Sequence, residues 1–456
     1  MRPGKMKFLT LSLYHPRVMR GGAQYVAKDL HDAAAADPQV EAVMLAAIDG
    51  NRFPQYSKVG AAITALPDSE DEFLMPGRRF DDFFHRMYDP RRNKALARFL
   101  RDHRPDVIHL HHSLWVGLDV IELIRKVLPG ARIIYTLHEY LPICHRQGQL
   151  YRYHEGGICQ DTRPDQCTGC FPERTTDEFI LRRRGFQSAF ARVDRFIAPS
   201  DYLKQRYVDW GLDADRITVI ANGHRRRRPE GFVPQHSPGL NVFGFFGQFV
   251  DAKGIDVALK AARRVAETTG KPVEIKVFGG NKEYATADYL DKIEAVLDGA
   301  PPELVVTEVG SYSRDNVFEL MSSVDWVLTP SIWPETFGLV VSEAWDARRP
   351  VLASRAGGLS DRIIEGVNGF SFLPGSDTEL AQLMQICIGN AELWQSMAQE
   401  MPDEISVEDA WAAHRAVIAD VTADVSGAVS GAPEEAADEP GIAGRPDSGA
   451  APGTAG

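Results

Sequence analysis

The chain lacks an excess of positive charge. Its 456 residues carry 63 Asp and Glu against 51 Lys and Arg, a formal net charge of −12. Nucleic-acid-binding faces are built from clustered basic residues, so this balance argues against a nucleic-acid partner. Long apolar runs are missing too: no stretch approaches the roughly 18 consecutive apolar residues of a membrane span. The opening MRPGKMKFLTLSLYHPR has a basic lead, but its apolar run is short and is broken at His15-Pro16, with no small-residue cleavage site. It reads as a first β-strand rather than a signal peptide, and the expected setting is cytoplasmic. Cysteine is scarce, five in all, and in a reducing compartment these are expected as thiols or metal ligands.

What is present is an ordinary globular composition, 44% hydrophobic and 25% charged, long enough for two domains and a tail. Short apolar runs at 7–13, 40–47, 107–110, 132–137, 195–199 and 217–221 alternate with amphipathic segments such as 23–36, 114–126 and 201–210. A second series follows at 242–246, 273–277, 304–309, 324–328 and 350–353. Strands alternating with helices imply βαβ units and parallel sheets. The expected class is therefore α/β, with two facing Rossmann-like domains and a cleft between them. The first spans 1–232, with a cysteine-rich insertion at 144–170, and the second spans 239–402. Residues 403–421 read as a helix around Trp411. Residues 422–456 are Ala, Gly, Pro, Ser and acidic, too poor in large apolar side chains to order themselves, and are expected to be disordered.

The segment PSIWPETFGLVVSEAWDARRPVLASRAGGLSDRIIEGVNGF, from Pro330 to Phe370, carries the most chemistry. Glu335 and Glu343 are separated by seven residues at the start of an expected helix. If the stretch is helical throughout, the carboxylates stand roughly 12 Å apart along the axis. That exceeds the about 5–9.5 Å of paired glycosidase acids and suits a long ligand instead. A helix N-terminus offers unpaired N–H groups to phosphate, and Gly338 lets backbone approach it. Upstream, NVFGFFGQFVDAKGIDVALKA places Gly244, Gly247 and Gln248 after a strand and Lys253-Gly254 before a helix. Lys253 is the candidate cation for a diphosphate leaving group.

In these residues the chain resembles the retaining GT-B glycosyltransferases of the group 1, or family 4, class. The resemblance implies a GT-B fold whose last helix crosses back to the first domain. It implies that Glu335 meets hydroxyls of the transferred sugar and Glu343 the ribose of the nucleotide. Backbone N–H groups of Phe337, Gly338 and Leu339 would face the distal phosphate. The loop Arg20-Gly21-Gly22-Ala23 would touch the donor and shape the acceptor pocket. The family usually carries Arg where this chain has Gln248, which leaves charge compensation resting more on Lys253 and the helix terminus. His138, in a TLHEY-like strand end, would lie close to the transferred sugar and acceptor. No strong protein nucleophile is implied, because the leaving phosphate takes the acceptor proton, and no cofactor is required for catalysis. The donor would be a UDP- or GDP-sugar, and the acceptor a glycan, a lipid-linked intermediate or a small molecule.

His109, His111 and His112 end one expected strand, and His138 with Glu139 end the next, where open α/β sheets collect ligands. His109, His111 and Glu139 are assigned to the acceptor side, with satisfied core histidines as the competing reading of the first two. Cys144, Cys159, Cys167 and Cys170 fall in a polar stretch that cannot pack itself. Four thiolates favour structural zinc, with an iron–sulfur cluster second and unlinked thiols as the bland alternative. By resemblance this insertion shapes a lid beside the acceptor cleft. Residues 79–104 mix aromatics with arginines at helical spacing, read as an amphipathic helix packed on the first domain, or as a surface resting on anionic membrane at its inner face. The rival functions are a non-catalytic sugar- or partner-binding protein of the same fold, a nucleotide-sugar epimerase, and a phosphorylase.

Overall fold

The computed structural model describes residues 4–58, 61–280 and 282–428. Its first sheet has eight strands, in the spatial order Ile217–Val219, Arg195–Ala198, Arg132–Thr136, Val107–Leu110, Met6–Leu13, Val40–Asp49, Glu72–Gly77 and Thr64–Ala65. All neighbours pair parallel except the last two, which are antiparallel. The central strands are buried on both faces, as parallel strands covered by crossover helices must be, hence their continuous apolar runs. The second sheet has six strands, all parallel: Leu304–Gly310, Val273–Phe278, Val242–Phe246, Trp326–Thr329, Val351–Ser354 and Gly369–Phe372.

The C-terminal helix Val407–Ala428 returns to the first sheet. Its Ala410, Trp411, Ile418 and Val421 join a buried cluster with Phe8, Val26, Leu30 and Val107, and Trp411 meets Phe8 edge-on at 5.2 Å. The helix continues past 421, so residues 422–428 are helical and not the start of a tail; 429–456 lie outside the described residues. Among the described residues no helix is long and apolar enough to cross a membrane.

Two expected helices are corrected. Residues 79–88 form a hairpin, Phe80–Asp81 against Arg86–Met87, and the helix begins only at Pro90. Asp81 accepts from the N–H groups of Phe83 and Phe84, closing a turn, and Asp89 caps the helix through Arg91 and Arg92. Local side-chain bonds of this kind compete with helix and override apolar spacing. The segment expected as helix from 114 is a loop to 118, with Trp115 and Gly117 at positive φ, and the helix is Asp119–Val127.

The two sheets are joined by irregular chain at 220–241 and held at fixed contacts. Ser200 Oγ donates to the Thr336 carbonyl at 2.7 Å, and Tyr202 N–H to Asp361 at 2.9 Å. Asp29, on the first domain's helix Gly22–Ala36, takes both Arg225 Nε at 2.8 Å and Arg314 Nη1 at 2.5 Å. The C-terminal ends of both sheets therefore face one cleft.

Candidate functional site

A cavity of 580 Å³ opens between the domains at those strand ends. Its first-domain wall comes from the loop and helix start at Arg20–Val26, from His138, and from Asn222–Arg227; its second-domain wall comes from Phe245–Gln248, Lys253, Ser311–Arg314 and Leu328–Glu343. Gly21, Gly22, His138, Gln248, Lys253, Glu335, Phe337, Gly338, Leu339 and Glu343 all line it. The structure thus brings together, from both halves of the chain, the residues that sequence assigned to a donor.

Glu335 does not stand on the helix. It lies in the loop before it, and the helix is Leu339–Asp346, so the expectation of one continuous helix bearing both acids is corrected. The loop is held by a backbone bridge between Glu335 and Gly357, with Gly358 N–H donating to the Glu335 carbonyl at 2.6 Å. A side chain at Gly357 would run into the Glu335 backbone, so the Gly357-Gly358 turn is what seats the acid. One carboxylate oxygen, Oε1, receives Lys253 Nζ at 2.6 Å, Ser331 Oγ at 2.6 Å and Trp333 Nε1 at 3.1 Å. Its other oxygen takes no protein hydrogen bond among the described residues.

Gly338 caps the short helix with φ of 84°, a left-handed conformation open to glycine, and a Cβ there would stand 2.6 Å from Leu359. Its carbonyl is taken from behind by Arg362 Nη1 at 2.7 Å, and the guanidinium also lies 4.2 Å from the Phe337 ring and pairs with Glu404 at 2.8 Å. With the carbonyls held away, the first N–H groups of the helix are free for an anion. Glu343, one helical turn further in, has no side-chain hydrogen bond or ion pair among the described residues. Burial pushes its carboxyl up to about 7, with His224 and Arg314 opposing.

On the first-domain wall only His138 of the expected histidines reaches the cavity. His111 Nδ1 lies 3.0 Å from His138 Nε2, His109 packs on His111 at 4.1 Å, and His414 of the last helix follows at 5.4 Å. Burial, with neighbouring imidazoles adding, holds His138 down at about 3, so the ring is neutral at ordinary pH. His109 and His111 are each 1% exposed, and His109 binds Thr136 Oγ1 at 2.7 Å. Glu139 turns onto the Leu141 N–H, and burial raises its carboxyl to about 8. Direct acceptor contact by His109, His111 and Glu139 is therefore corrected: they stand behind the wall. Alternation along a strand says which residues share a face, and a parallel sheet has two covered faces, only one end of which is open.

None of Cys144, Cys159, Cys167 and Cys170 lines this cavity. Burial pushes the Cys144 thiol up, with backbone N–H groups of Leu150 and Arg146 opposing; Arg152 Nε reaches Cys159 Sγ at 3.4 Å, and Cys170 Sγ is 3.9 Å from His154 Nδ1. These donors suit zinc in chemistry. Yet among the described residues the one trio of potential ligand atoms within 4.8 Å of one another is His31, Asp71 and Glu72. Tetrahedral zinc at about 2.3 Å per thiolate needs sulfurs about 3.8 Å apart, so the four thiols as placed do not form a closed shell. No chemical step is routed through a metal.

Sequence reasoning missed Arg362, Ser331, Trp333 and the Asp29–Arg314 pair. Ser331, Trp333 and Arg362 lie inside the segment already singled out; nothing in the sequence distinguishes Arg362 or Asp29 from solvated surface charges.

Residues 228–402 match the family described as Glycosyl transferases group 1, and residues 20–227 the one described as Glycosyltransferase Family 4. The D-inositol 3-phosphate glycosyltransferase of Rhodococcus erythropolis is 32% identical over 45% of this chain and 48% of its own length. The lipopolysaccharide 1,2-N-acetylglucosaminetransferase of Salmonella typhimurium is 26% identical over 56% and 65%. The chain thus spans about half to two thirds of the length of these relatives. Among solved structures, Anabaena HepE in complex with UDP and glucose superimposes with a TM-score of 0.60 at 18% identity, covering 94% of this chain and all (100%) of the other. Sucrose-phosphate synthase from Thermosynechococcus elongatus gives 0.67 at 16%, covering 92% and 100%. At such identities the likeness speaks for the GT-B fold.

Proposed function

The chain belongs to the group 1 and family 4 glycosyltransferases, and on that premise we propose that it moves a sugar, with retention, from a nucleoside-diphosphate sugar to an acceptor hydroxyl. The observation that carries this reading is the spacing of groups along one cavity: Glu335 beside Lys253 at one end, Glu343 at the other, and an uncapped helix N-terminus between them.

The sugar sits against the free oxygen of Glu335, whose other oxygen is fixed by three donors and cannot swing away. The diphosphate lies on the N–H groups of 337–339. The ribose hydroxyls donate to Glu343. When the bond between sugar C1 and the diphosphate oxygen breaks, its electron pair goes to that oxygen, where Lys253 and the helix terminus stabilise it. The acceptor oxygen bonds to C1 on the same face, and its proton passes to the departing phosphate. His138, neutral and oriented by His111, lines the first-domain side where the acceptor enters.

Structural neighbours crystallised with UDP favour a UDP-sugar as the first candidate, with a GDP-sugar as the second. A glycan, lipid-linked or small-molecule acceptor fits the exposed first-domain side of the cleft, and setting on the inner face of a membrane belongs to the same proposal. Purified protein is to be incubated with UDP-, GDP- and ADP-sugars and assayed for nucleoside diphosphate release. Release from one of them is expected. No release, together with no thermal shift on adding any nucleotide, would leave a non-catalytic binding protein.

A further inference from the structure

The second-domain wall is short of positive charge where the diphosphate must lie. Gln248, next to Gly247 at the cavity, is an amide. Lys253 is already matched by Glu335 at 2.6 Å. Arg225 and Arg314 share Asp29, Arg227 stands 3.9 Å from Asp315, and His224 stands 3.4 Å from Asp346. Among the described residues that line the cavity, Arg20 is the cation with no hydrogen bond, ion pair or ring contact. It is exposed.

Its position adds to this. Arg20 precedes the helix Gly22–Ala36, whose cap Gly21 has no side-chain hydrogen bond and whose first turn holds no acidic residue. That open N-terminus meets the one at Gly338: a Cβ on Gly22 would lie 3.0 Å from Leu339 Cδ1. Two uncapped helix starts, one from each domain, therefore converge on one region, and both favour an anion. A free guanidinium two residues from the contact has a five-donor fork suited to phosphate oxygens.

We propose that Arg20 is a catalytic residue, contacting the diphosphate from the first-domain wall and supplying the charge that Gln248 does not. The inference rests on the glycosyl-transfer reading above. As C1–O breaks, the oxygen gains the electron pair and the guanidinium, unpaired beforehand, stabilises it without leaving a partner behind.

The test compares the wild type with Arg20→Ala, Arg20→Lys and the double variant Arg20→Ala/Gln248→Arg, measuring turnover, donor KM and nucleoside diphosphate affinity by calorimetry. Arg20→Ala is expected to lower kcat about 100-fold, with a smaller rise in KM. The double variant, restoring charge from the opposite wall, is expected to recover at least about tenfold of that loss. Turnover of Arg20→Ala within about twofold of wild type would overturn the proposal. So would a loss that neither Arg20→Lys nor Gln248→Arg relieves, because charge would not then be what the position supplies. If the wild type binds no nucleoside diphosphate and consumes no sugar nucleotide, the transferase reading itself falls, and this inference with it.

Discussion

The two walls of the cleft are built differently. The second-domain wall takes Pro330 to Glu343 from one unbroken stretch, and its key acid is pinned by neighbours two and four residues away, Trp333 and Ser331. The first-domain wall is assembled from Arg20–Val26, His138 and Asn222–Arg227, which lie far apart in sequence. Three groups expected there, His109, His111 and Glu139, are withdrawn behind the surface. The contrast teaches that one wall rests mainly on a single stretch, tied back by Lys253 and the Gly357-Gly358 turn, while the other is assembled from distant segments. The opposite side offers loops whose variation can change what is received.

The comparison breaks if the second-domain wall proves dispensable. Glu335→Ala and Lys253→Ala are each expected to lower kcat by about 100- to 1,000-fold while folding normally, as loss of a preorganised transition-state contact does. Wild-type turnover in both, with unchanged thermal unfolding, would refute it.

A smaller effect sharpens it. Glu343 holds its proton to about 7 in the folded chain, while ribose hydroxyls bind best to the ionised form. Nucleoside diphosphate affinity is therefore expected to fall about tenfold between pH 8 and pH 6, and Glu343→Gln to flatten the profile. The sign for folding is opposite. The unfolded chain releases this proton near 4.5, so the group's contribution to stability is present below that pH and is lost as pH rises through about 7. Calorimetric titration across that range checks the first, and an affinity independent of pH would remove the ribose role from Glu343.

The smallest expected change lies in the cysteine segment, packed on the first domain's core. We propose that Cys144, Cys159, Cys167 and Cys170 draw together on one zinc that orders their segment. Metal analysis is then expected to find about one zinc per chain, and chelation to lower the unfolding temperature with little effect on nucleotide binding. Four freely titrating thiols without metal would end that idea.

Much of this was legible in the chain. Parallel strands buried on both faces announce themselves as short apolar runs, and Gly247-Gln248, Lys253 and the two glutamates, singled out in the chain, all line the cavity. Three things were not legible. Side-chain turns at Asp81 and Asp89 replaced an apparent helix with a hairpin. The edge strands Thr64–Ala65 and Gly369–Phe372, and Glu72–Gly77 beside the first, are too short or too mixed to declare themselves without a partner strand. The third was the setting of the acids, for seven intervening residues place Glu335 and Glu343 on one helix only if no bridge to Gly357 pulls the first away.

Sequence alone determined the two α/β halves and singled out the two acids, the lysine and the glycines that line the cavity, because backbone periodicity and steric need are properties of neighbours along the chain. The tertiary structure alone decided which histidine reaches the cavity, that Arg362 holds the Gly338 carbonyl, and that Arg20 lines the cavity unpaired. Those outcomes depend on contacts between residues tens to hundreds of positions apart, whose free energies appear only once the chain has folded back on itself.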